Sequence, residues 1–305
     1  MSLVRDIRDL EEVLASTQLP ALPSSAIKLL EVSKDPSNGP AEYAKPIEAD
    51  AGLMGQVLRF VNSSYFGFSR EIASVQQAIT LVGIRTVKNF ALWSAVFSIV
   101  PNPKFGPFDL KNLWQDSLRR AVFARIVGRR LKLINAEDLF AAALLQDVAI
   151  PILLKGLPEV YETLIERRGS ERIRLSCLEK EVFGWDHAQA AAAVVRHWHL
   201  PEEFAVLIEN HPSLHQLMSS TPPKLDAACV ALGSMLPACK DNDWVEFPAF
   251  IEGCERLQDG LSRELEGILA QTDRNFEDFA PMLKLPNPEV SLTAAYKYEM
   301  DQYKA

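Results

Sequence analysis

LFAAALLQDVAI, residues 139–150, is the stretch that decides the fold class. Leu139 to Leu145 is an alanine- and leucine-rich run, made mostly of side chains that lose little freedom on entering a helix. Asp147 follows that apolar run, where burying an unpaired carboxylate would be costly. It must find a cation, hydrogen bonds or the free end of the helix. Val148 to Leu154 is strand-like in composition, but it is short and contains Pro151, so it reads as a junction between helices.

The same helical reading spreads outward. Ala188 to Val195 contains four consecutive alanines. Upstream, Ser117, Ala121, Ala124 and Gly128 place small residues on one face, which lets a neighbouring helix approach closely. Nearer the N-terminus, Leu53, Val57, Phe60 and Val61 form one stripe, and Val75, Ala78, Ile79 and Val82 another. Ile27, Leu30 and Val32 precede the breaks at Asp35-Pro36 and Gly39-Pro40. Gly83 and the polar Arg85-Thr86 interrupt the pattern before a central apolar helix from Val87 to Val100. Pro101, Pro103 and Pro107 close that helix and mark the clearest hinge. Leu225 to Leu236 reads as a further helix after a linker from Ser219 to Pro223. The expected fold is all-α, with an N-terminal helical lobe over 1–107, a second lobe over 108–218 and a helical extension over 219–305.

Composition narrows the function classes. The chain has 305 residues, 48% apolar and 24% charged, with a formal net charge of −8. An acidic balance argues against nucleic acid as a partner. The basic group Arg119, Arg120, Arg125, Arg129, Arg130 and Lys132 scatters around a helix and reads as a solvated surface. Four cysteines without a CxxC pair point to a reducing compartment and away from structural zinc. The N-terminal MSLVRDIRDLEEVL lacks the apolar core of a signal peptide, and the longest apolar stretch, Phe90 to Val100, is too short for a membrane span. A cytoplasmic protein without a membrane partner is expected. No phosphate-binding glycine loop and no GxSxG elbow occurs in the sequence.

Several motifs in order carry a family resemblance. LPALPSSAIKLL (19–30), the acidic Glu48 and Asp50, LRFVNSSYFG (58–67) and QQAITLVGIRTVKNFAL (76–92) are followed by LWQDSLRRA (113–121), AAALLQDVAI (141–150), HAQAAAAVVRHWHLPEEF (187–204) and IENHP (208–212). Together they resemble the HDOD domain, a relative of the HD phosphohydrolases. The resemblance implies two helical lobes, the second similar to the HD core, and it says where a metal centre would stand. A histidine of active relatives corresponds to Asp116 here, and their His-Asp doublet to Gln146-Asp147. A later histidine matches His187, and a His-His pair matches His211-Pro212. A closing aspartate has no counterpart in the helix after Leu225 beyond Asp226 at its start.

The implied centre is degenerate, because an amide oxygen at Gln146 is a poor substitute for imidazole on borderline metals. No cofactor and no catalysis are expected. The alternative is a divalent metal (iron, manganese or zinc) held by Asp147, His187, His211 and Asp116, in a divergent phosphomonoesterase or cyclic-dinucleotide phosphodiesterase. The leading expectation is a non-catalytic module of bacterial signal transduction, working through signalling proteins in trans or a small ligand. A groove between the lobes near Pro101 to Pro107 is the expected place for that ligand. Trp114, Trp185 and Trp198 read as core packing, and Asn62-Ser63-Ser64 as a polar helix end.

Overall fold

In a computed structural model of the chain, the described residues are 9–303 apart from Phe105, Pro107 and Asn242. Residues 1–8 of the charged N-terminal stretch and Pro107 of the proline hinge therefore lie outside the described residues. Among those described there is no β-strand. The all-α expectation holds.

The first group of helices is α1 (Leu10–Ser16), α2 (Ser24–Val32), α3 (Pro40–Glu48), α4 (Ala51–Val61), α5 (Val75–Val82) and α6 (Ile84–Ile99). The second group runs through α7 (Leu110–Arg130), α8 (Ala136–Leu145), α9 (Ala149–Gly156), α10 (Pro158–Glu171), α11 (Leu175–Phe183), α12 (His187–His197), α13 (Glu202–Glu209), α14 (Leu214–Ser219) and α15 (Leu225–Ser234). The chain closes with α16 (Phe247–Leu257), α17 (Leu265–Phe279), a 3-10 turn at Ala280–Leu283, and α18 (Leu292–Tyr303).

Small residues set the closest contacts. A Cβ on Gly128 would lie 2.5 Å from Leu139 Cδ1, so the Leu139 side chain fills the space that glycine leaves where α7 and α8 cross. The α4 stripe Leu53, Val57, Phe60 and Val61 is wholly buried. Asp50 caps that helix, taking the Leu53 N–H at 3.0 Å and the Ser25 hydroxyl at 2.9 Å. The central helix α6 starts directly after Gly83, so Arg85 and Thr86 form its first turn instead of interrupting it. Asn62 does act as a helix end: its side chain donates to Leu58 O and brackets Ile72, accepting from its N–H at 2.8 Å and donating to its carbonyl at 2.9 Å. Trp114, Trp185 and Trp198 are core residues. Ile27 is 47% exposed, because α2 packs through Ala26 and Leu29.

Two further expectations change. Arg119 and Arg125 are buried and Arg120 is nearly so, not solvated. Their partners come from other helices and loops, which a helical projection of one segment cannot show. A second segment, Ala136–Gly156, is long and apolar enough by composition to cross a membrane, with an apolar window of mean hydropathy 1.6, but the fold breaks it into α8 and α9 at Asp147 and buries 89% of that window. The segment after Ser220 packs onto the rest of the fold. α15 and α17 pack on α7, and the 3-10 turn at 280–283 reaches α4.

Candidate functional site

Asp147 lies in the turn between α8 and α9, where the apolar helix ends. It is 3% exposed, and its carboxylate is fully engaged. Oδ2 accepts from Arg120 Nη1 at 2.5 Å and from Gln146 Nε2 at 3.3 Å. Oδ1 stands 3.4 Å from His187 Nε2 and 3.7 Å from His211 Nε2. The two Nε2 atoms are 3.3 Å apart. Asp147, His187 and His211 therefore converge on one point, at the floor of a cavity of about 550 Å³.

Each histidine is aimed by its other nitrogen. His187 is the first residue of α12, fixed by a reciprocal cap in which Asp186 accepts the Gln189 N–H and Gln189 accepts the Asp186 N–H. Glu179, fully buried on α11, accepts the His187 backbone N–H at 2.7 Å and the Nδ1–H at 2.6 Å. Tyr161 donates its hydroxyl to the other Glu179 oxygen at 2.8 Å. His211 follows α13 and donates Nδ1–H to the Ile208 carbonyl at 2.7 Å. Both rings thus keep Nδ1 as the donor and turn Nε2 toward Asp147, the arrangement that orients metal-binding imidazoles.

Electrostatics separates the two rings. Burial lowers the affinity of His187 for a proton, but the Glu179 and Asp147 carboxylates outweigh it and raise the pKa to about 10. Burial takes His211 down to about 3; Asp147 opposes that shift, while His187 and Arg174 add to it. Burial would raise the Asp147 pKa, yet Arg120 and the two imidazoles hold it far below the carboxylate range.

The remaining sequence-derived positions fall around this trio without joining it. Gln146 is fully buried, and its Oε1 has no hydrogen-bond partner. Asp116 lines the same cavity, but its Oδ1 accepts the Cys239 backbone N–H at 2.7 Å and it is not among the convergent donors. Asp226 sits elsewhere, accepting from Ala227 N and Asn135. Sequence reasoning missed Arg120, Glu179 and Tyr161. Arg120 had one signal, its placement four residues after Asp116 on a helix with a buried face. Among the described residues the cavity is lined from Phe108 onward, and its walls come from α7, α10 and the segment after α15.

Tested against a metal, the trio fits one ion. It offers two imidazole nitrogens and one carboxylate oxygen, supported by Glu179 and the Ile208 carbonyl, with an open side toward the cavity.

Comparison with known proteins gives this fold its relatives. An uncharacterized protein of Treponema pallidum (strain Nichols) is 22% identical over 217 residues, 70% of this chain and 41% of its own length. The chain thus spans less than half the length of that relative. A solved HDOD domain protein of unknown function from Geobacter sulfurreducens shares the fold with a TM-score of 0.66 at 20% identity, covering 88% of this chain and 99% of its own. A protein of Shewanella amazonensis SB2B, provisionally named a phosphohydrolase, superposes with a TM-score of 0.68 at 20% identity, covering 89% and 98%. The family model of the HDOD domain matches residues 19–214, and the chain belongs to the HDOD domain family.

Proposed function

We propose that this chain is a non-catalytic regulatory module of signal transduction, acting on protein partners or through a small ligand, with a cation-holding site that does not hydrolyse phosphoesters. The observation that carries this reading is Arg120. Its guanidinium takes the Asp147 oxygen that a hydrolytic centre would turn to a second ion or an activated water. The other arginines around the cavity are engaged as well: Arg168 with Asp241 at 2.8 Å, Arg174 with Glu246 at 3.2 Å, and Arg172 with Asp243. Arginines already paired with carboxylates leave little free positive charge to stabilise a transferring phosphoryl group. Gln146 contributes an amide in place of a stronger ligand.

The test is turnover. Purified protein supplemented with manganese, iron or zinc is assayed on phosphomonoesters and cyclic dinucleotides. The expected rate equals that of the metal salt alone and is unchanged in Asp147→Ala. Hydrolysis above that background, lost in both Asp147→Ala and His187→Ala, would overturn the reading.

A further inference from the structure

The two oxygens of Asp147 face different cations. A carboxylate can bridge two metal ions about 3.5–4 Å apart, one on each oxygen. Here Oδ1 faces the imidazole pair, while Oδ2 is held by Arg120 Nη1 at 2.5 Å. Arg120 and Asp116 leave the same face of α7, one turn apart, and both line the cavity. The Asp116 and Asp147 carboxylates both act on the Arg120 charge. The guanidinium thus stands where a second ion would find one oxygen of Asp147 and a carboxylate from α7.

On the other side, the donor spacing carries information. Donors bound about 2.0–2.1 Å from a common ion lie roughly 3.3–3.4 Å apart at tetrahedral angles, and only about 3.0 Å apart at octahedral ones. The separations here are 3.3, 3.4 and 3.7 Å. Both Nδ1 atoms are engaged elsewhere, so both Nε2 atoms turn toward Asp147 Oδ1, where one cation can meet all three donors.

We infer that the site takes one four-coordinate divalent cation of the zinc type on Asp147 Oδ1, His187 Nε2 and His211 Nε2, and that Arg120 fills the place of a second ion. The fourth position faces the cavity and is left to water or a ligand donor. This rests on the trio being a cation site.

The experiment titrates chelator-stripped protein with Zn²⁺ and with Co²⁺, counting bound ions by elemental analysis after desalting. Cobalt reports coordination directly, since four-coordinate Co²⁺ absorbs visible light far more strongly than six-coordinate Co²⁺. Wild type is expected to hold one ion per chain with intense cobalt bands. Arg120→Ala is expected to hold two, and adding Asp116→Asn to return the count to one; Arg120→Lys stays at one. Circular dichroism checks folding, and Arg120→Gln replaces the alanine variant if that one does not fold. Two ions in wild type, weak six-coordinate bands, or a folded Arg120→Ala or Arg120→Gln that still holds one ion would overturn the inference. A wild type that binds no ion would instead remove the cation-site reading beneath it.

Discussion

His187 and His211 have ring centroids 5.2 Å apart, yet their surroundings push them in opposite directions, to about 10 and about 3. Linkage turns this into a stability profile for the ion-free protein. Folded His187 keeps its proton up to about pH 10, whereas the unfolded chain releases it near 6.5. Its contribution is complete below about 6.5 and is lost as pH rises through about 10. His211 stays neutral in the fold while the unfolded chain takes up a proton below about 6.5, so stability falls as pH drops from there toward 3. The lowered Asp147 pKa steepens the acid side. Urea unfolding in the presence of a chelator should therefore show a maximum near pH 6.5, and His187→Gln should flatten the alkaline limb. A wild-type plateau from about pH 6.5 to 10 would contradict this. At this scale the sequence exposed the trio, because histidine and aspartate are rare enough among apolar helices to stand out. Arg120, Glu179 and Tyr161 stayed hidden, because what makes them matter is a contact between helices distant in sequence.

Helices α7, α8 and α15 hold the site through close crossings that side-chain size dictates. A Cβ on Gly233 would meet the Arg120 carbonyl oxygen at 3.0 Å, which fixes how near α15 comes to the α7 backbone. Gly233→Ala forces that backbone, and Arg120 with it, to give by a few tenths of an ångström. Overpacking of this kind costs about 1–3 kcal/mol, and denaturant unfolding should show it as a lowered midpoint with an unchanged slope. An alanine variant as stable as wild type would show that α7 yields freely. The small face of α7 could be read from Ser117, Ala121, Ala124 and Gly128, since their spacing is local. Gly233 gave no such signal: a single glycine near a helix end looks like a cap until the opposing carbonyl is known. The same limit explains the arginines, whose helical projection is scattered although three of them point into protein.

Across the whole molecule, one cluster ties the N-terminal helices to the second group and to the C-terminal segment. Phe279, at the end of α17, stacks on Phe60 of α4 at 5.5 Å and packs on Tyr65 at 4.7 Å and Phe140 of α8 at 6.1 Å. Ser64 donates to Asp278 beside it. Arg125 lies within the same cluster, 1% exposed, with its guanidinium carbon 4.5 Å from the Tyr65 ring centre and 4.3 Å from that of Phe140. Its nitrogens make no hydrogen bond, and Glu137 Oε2 is 3.7 Å away. Such a group gains from the ring faces but bears much of the cost of leaving water. Two substitutions separate these contributions. Phe279→Ala removes a fully packed ring that three segments share, and should cost about 3–5 kcal/mol. Arg125→Met keeps the volume and drops the buried charge, and should be neutral or stabilising by about 1–4 kcal/mol. Chemical denaturation of both variants decides the matter. If Arg125→Met proved the more damaging of the two, the cation would be the element that joins the helices, and the aromatic packing around it secondary.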